Sequence, residues 1–92
     1  MKHYMKNYKQ NSQIGHDLIL TYFSDRMKSK KINKEQLAEI LDISVTTLWR
    51  YFKKKSPMPL SVYLQICAAL EVRPYLIPAE SDNTEMKQMF LN

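Results

Sequence analysis

A chain of 92 residues has room for one small domain, and a 45% hydrophobic content argues against disorder along its whole length. No apolar run approaches the ~20 residues that cross a bilayer, and the start, "MKHYMKNYKQNSQ", has no apolar signal core, so neither a membrane span nor a secretion signal is expected. The net charge of +5 comes from residues 26–55, with nine basic and three acidic residues; such clustering points to an anionic partner, most often nucleic acid, or to a plain solvated surface.

Residues 1–12 carry Lys2, Lys6 and Lys9 with little to bury, and read as a flexible basic arm. Residues 13–29 read as a helix: Ile19, Phe23 and Met27 recur every four residues, and Leu18, Leu20 and Tyr22 widen the stripe. Ser12 is its expected cap, and Gly15 weakens the first turn. "KSKKI" connects to the next element, with Ile32 as an apolar anchor.

"NKEQLAEIL" reads as a second helix. Asn33 is an N-cap, and Gln36 three residues later completes a capping-box pattern. Leu37, Ile40 and Leu41 form its expected inner face, and Ala38 is small enough for another helix to cross closely. "DIS" is too short for anything but a tight turn, in which Asp42 tolerates the left-handed conformation. Ser44 then caps a third helix, expected over Val45 to about Lys53.

"KKKSPMP" is a loop broken by Pro57 and Pro59. A fourth helix is expected over about Leu60 to Glu71, with Leu60, Tyr63, Leu64, Ile66, Cys67 and Leu70 inward. Pro74 suits the first turn of a short fifth helix holding Tyr75, Leu76 and Ile77, which Pro78 ends. "EMKQMFLN" is a candidate last helical turn with Met86, Met89 and Phe90 on one side. No strand-like alternation occurs. The expected fold is all-α, a compact bundle of four or five short helices. Its expected organisation is an arm over 1–12, a domain over 13–78 and a tail over 79–92.

The residues offer no catalytic constellation. His3 and His16 are isolated, no Cys/His spacing suits zinc, and Gly15 is the only glycine, so no phosphate-cradling loop exists. Glu35 and Glu39 share a helix face as solvated charges. Cys67, in the apolar run "ICAAL", reads as a small buried hydrophobe; a lone cysteine forms no internal disulfide, which fits a reducing cytoplasm. No enzyme activity, metal, cofactor or small-molecule ligand is expected.

Two helices joined by a three-residue turn make a helix-turn-helix, whose second helix enters the DNA major groove. Lys34 to Lys53 meets its physical demands. Leu37 and Leu41 face inward from the first helix, Ala38 sits where the helices cross, Ile43 plugs the turn, and Leu48 and Tyr51 point back from the second helix. Together with "LSVYLQICAALEV" after the loop, "INKEQLAEILDISVTTLWRYFKK" resembles the lambda-repressor-like, or Xre/Cro, family of bacterial and phage DNA-binding domains over about residues 14–77. Two positions depart from the family pattern. Asp42 stands where the family usually has glycine in the turn. Phe52, Lys53, Lys54 and Lys55 follow the recognition helix where an acidic residue and a glycine are common, which makes the local surface strongly basic.

Helical geometry divides the residues of the third helix. With Leu48 at zero and ~100° per residue, Phe52 falls at about 40°, Val45 at about 60° and Tyr51 at about 300°, all near the core side. Thr46, Arg50 and Lys53 fall at about 160°, 200° and 140°, outward, and Trp49 at about 100° lies on the flank, facing either DNA or the bundle. The resemblance implies base-facing roles for Ser44, Val45, Thr46, Trp49 and Arg50, with the recognition helix over about 44–53. Arg50 is suited to guanine, Thr46 to a base or phosphate, and Val45 and Trp49 to a thymine methyl. It implies phosphate contacts at Asn33 and Lys34, where free helix N–H groups favour an anion, and Lys53, Lys54 and Lys55 lie well placed for the same. Lys28, Lys30 and Lys31 form a second candidate patch. The function implied is a sequence-specific transcriptional regulator on double-stranded DNA, of repressor type, acting in the cytoplasm. A homodimer through Tyr75, Ile77, Met89 and Phe90 is the expected assembly. The rival readings are a protein-interaction module, such as an antitoxin-like partner, and an accessory DNA-binding factor in excision or recombination.

Overall fold

The computed structural model describes residues 7–78. Four helices follow in order: α1 (Tyr8–Lys30), α2 (Lys34–Leu41), α3 (Val45–Phe52) and α4 (Leu60–Ala69). No strand occurs among the described residues. The arm residues 1–6 and the tail 79–92, with Met86, Met89 and Phe90, lie outside them.

α1 begins earlier than the apolar pattern predicts. Asn7 Oδ1 accepts from the Gln10 amide at 2.8 Å, so Asn7 is the cap and Ser12 lies inside the helix. Residues 8–12, expected in the arm, are therefore helical, and α1 continues through Gly15 despite the ~1 kcal/mol that glycine costs a helix interior. Leu20, Phe23 and Met27 are buried; Ile19 and Leu18 are half-buried, and Tyr22, at 50% exposure, leaves the expected stripe.

The described residues fall into two compact units. One comprises residues 7–21 and 75–78 and includes the buried Leu20. The other, residues 22–74, holds the end of α1 with α2, α3 and α4 around Phe23, Met27, Leu37, Ala38, Leu48, Ile66, Cys67 and Leu70. Within this second unit α2 packs on both α3 and α4. Phe23 meets Tyr63 of α4 with ring centroids 5.7 Å apart. Arg26 Nη2 donates to the Leu70 carbonyl at 2.8 Å, and Lys30 pairs with Glu71. One face of α1 thus supplies two cations to the C-terminal end of α4, where the helix dipole and the last carbonyls favour positive charge. Burial pushes the Cys67 thiol up, against the opposing hydrogen bond with Tyr63, so it stays a neutral buried hydrophobe.

Two inward faces are narrower than their apolar residues suggest. On α2 the covered stripe is Lys34, Leu37, Ala38 and Leu41, and Ile40 is 58% exposed because it lies off that arc. On α4 the stripe is Tyr63, Ile66, Cys67 and Leu70. Leu64 lies to one side of it, and Leu60 shares its angle but stands at the helix's first residue; both are exposed. α4 itself ends at Ala69, two residues before the expected Glu71. No fifth helix forms: residues 72–78 are irregular, and Tyr75, Leu76 and Ile77 are exposed. Pro74 and Pro78 each lack an amide hydrogen, and the three residues between them are too few to offset the cost of nucleating a helix.

Candidate nucleic-acid interface

The α2–α3 junction is built by local chemistry. Asn33 Oδ1 accepts from the Gln36 amide at 2.8 Å, and Gln36 Oε1 accepts from the Asn33 amide at 2.9 Å, completing the capping box. The amides of Lys34 and Glu35 remain as first-turn donors for an anion. α2 stops at Asp42, which sits at φ 57°, ψ 45°. The Asp42 amide donates to the Glu39 carbonyl and the Ile43 amide to the Ala38 carbonyl, both at 3.1 Å, a Schellman closure. Ser44 then caps α3 by accepting from the Thr47 amide at 3.0 Å, while its hydroxyl donates to Thr47 Oγ1 at 2.8 Å.

α3 separates cleanly into two faces. Thr47, Leu48, Tyr51 and Phe52 turn inward, with Leu48 fully buried and the two aromatics half-buried. Val45, Thr46, Trp49, Arg50 and Lys53 form one exposed stripe. Val45, expected near the core side, is 39% exposed, and the flanking Trp49 is 40% exposed. The centre of the inward arc lies between Leu48 and Tyr51 rather than at Leu48, which swings positions 45 and 49 outward together.

Beyond α3 the chain folds back over this stripe. Lys55 Nζ lies 6.0 Å from the centroid of the Trp49 ring, at the limit of a cation–π contact. Arg50 Nε donates to Ser56 Oγ at 3.1 Å. Lys34 Nζ stands 5.4 Å from the Phe52 ring centroid, so the start of α2 and the end of α3 share one cation. Lys53, Lys54 and Lys55 are exposed beside them. Of the expected phosphate-facing residues, Asn33 caps α2, Lys34 meets the end of α3 at Phe52, and Lys53 to Lys55 are exposed at and beyond that end. The second candidate patch is reduced, because Lys30 is engaged by Glu71. Sequence reasoning missed Ser56, whose only signal was a hydroxyl six residues after an arginine. Among the described residues no group of three His, Cys, Asp or Glu could hold a metal ion, and no helix is long and apolar enough to cross a membrane.

Residues 23–75 match the family model of the Cro/C1-type HTH DNA-binding domain. No curated protein and no solved structure gives a significant match to the chain.

Proposed function

The chain belongs to the Cro/C1-type helix-turn-helix DNA-binding family, and on that premise we propose that it is a sequence-specific transcriptional regulator that represses by occupying an operator. In this reading α3 enters the major groove with Ser44, Val45, Thr46, Trp49 and Arg50 towards the bases. Asn33, Lys34, Lys53, Lys54 and Lys55 hold the phosphates on either side. The observation that carries it is the exposed stripe of Val45, Thr46, Trp49, Arg50 and Lys53 on a helix whose opposite face is sunk in the core. Base edges supply preference, and phosphates supply position and affinity. The proposed site of action is the cytoplasm, and no hydrolytic or transferase activity is part of the reading.

A homodimer belongs to the same proposal, since two-fold operators match two-fold proteins. Tyr75 and Ile77 are exposed at 73% and 57% and are available to such a contact; Met89 and Phe90 lie outside the described residues. Selection of bound sites from random double-stranded DNA tests the whole reading. The expected result is an enriched motif of two symmetrically related half-sites. Recovery of unenriched sequence would remove specific recognition, and a single half-site bound by one copy would remove the dimer.

A further inference from the structure

We propose that Ser56, in the loop beyond the recognition helix, is a positioning residue that sets the base preference of Arg50 by fixing the plane of its guanidinium. The inference rests on the reading of α3 as the base-contacting helix and goes beyond it to a residue outside that helix. A guanidinium has two bidentate faces, one formed by its two terminal nitrogens and one formed by Nε with a terminal nitrogen. Arg50 Nε already donates to Ser56 Oγ at 3.1 Å. That bond occupies the side face and leaves the terminal pair for the N7 and O6 acceptors of a guanine. Among the described residues the Arg50 side chain has no other hydrogen-bond partner, while Ser56 is half-buried.

The backbone brings Ser56 to this position. Lys54 adopts φ 59°, its amide donates to the Tyr51 carbonyl at 3.1 Å, and the Lys55 amide donates to the Arg50 carbonyl at 2.9 Å. This closure reverses the chain, so that Lys55 returns over Trp49 and Ser56 returns to Arg50. Two consecutive loop side chains therefore approach two consecutive outward residues of α3, and Ser56 bonds the second. Ordering a long side chain before binding removes part of the entropy lost on binding, and it selects one of the two guanidinium faces.

The test uses the full chain with the duplex selected from random DNA and a set in which each base pair of that duplex is changed singly. Ser56→Ala is expected to lower discrimination by about three- to tenfold at one base pair per half-site, the one where Arg50→Ala also acts. Ser56→Thr, which keeps the acceptor hydroxyl, is expected to restore it. In an Arg50→Ala background Ser56→Ala should change discrimination no further. Thermal melting of each variant separates this from a folding defect, because loss of fold weakens every duplex alike. A Ser56→Ala effect that is uniform over all duplexes, or that persists without Arg50, overturns the proposal. If Arg50→Ala itself leaves base preference unchanged, the parent reading of the helix fails first and takes this inference with it.

Discussion

Arg50 and Lys54 stand four residues apart on one basic stretch, yet their truncations are expected to differ in kind. Arg50 lies on the outward stripe of α3, so Arg50→Ala should relax the preference at one base pair by about 1–3 kcal/mol. Lys54 lies past the helix among exposed lysines, so Lys54→Ala should weaken binding to all sequences alike and lower the salt slope by about 1. Affinities across a randomised library, measured at two salt concentrations, check both; equal behaviour of the two variants would contradict the division of labour. Much of this site was legible in the sequence, because angular spacing alone put Thr46, Arg50 and Lys53 outward. Trp49 was left on the flank and Val45 was put near the core side, since the direction of the core depends on how α3 rolls against α2. That roll follows from the half-burial of Thr47 and Tyr51, which no single helix pattern contains.

At the scale of the element, the four helix ends share one device. Lys31, Asp42, Lys54 and Glu71 each follow a helix at φ between 57° and 59°. In each case the next residue's amide bonds back to the carbonyl five positions earlier, as Ile32 does to Met27 and Val72 to Cys67. Glycine takes this left-handed conformation without the ~1–2 kcal/mol that a side chain costs there. Allowing for the greater unfolded-chain entropy of glycine, Lys31→Gly is expected to stabilise the protein by about 0.5–1 kcal/mol, read as a raised urea midpoint at unchanged slope. A lowered midpoint would refute it. Lys54→Gly should gain similarly while losing DNA affinity, which separates charge from fold. Glu71 adds a pH dependence. The Lys30 ammonium, through a hydrogen bond and then through its charge, holds this carboxyl below the usual glutamate range. A carboxylate whose folded pKa is lowered contributes stability above its unfolded value, about 4.3, and loses it as pH falls through the folded one. The stability gap between wild type and Glu71→Gln should therefore close as the solution is acidified below about pH 4; because the pair is exposed, added salt should narrow it as well. A gap indifferent to pH would rule the ion pair out as a contributor. The helix starts show what the sequence disclosed and what it concealed. Asn33-Lys34-Glu35-Gln36 was readable as a cap because an apolar face follows at once. Asn7-Tyr8-Lys9-Gln10 has the same outline, but the exposed Gln10, Ser12 and Gln13 and the later Gly15 hid it.

For the molecule as a whole, the basic excess of residues 26–55 divides between structure and surface. Arg26 and Lys30 are turned to the end of α4, where they hold Leu70 and Glu71. Lys34 rests on the Phe52 ring, and Lys53, Lys54 and Lys55 are exposed at and beyond the end of α3. Each phosphate neutralised on duplex DNA contributes about −0.9 to the slope of log affinity against log salt. Four lysines in one copy therefore set a slope of about −4, and two copies on a two-fold operator a slope of about −7. A protein-interaction module working through apolar residues would show almost none. Titrating the selected duplex between roughly 50 and 200 mM salt thus counts both the phosphate contacts and the copies bound. A slope near −7 that falls by about 2 in Lys54→Ala would mean that both protomers use the same lysine. A slope shallower than about −2 would remove the phosphate roles assigned to these four lysines and favour the protein-binding reading.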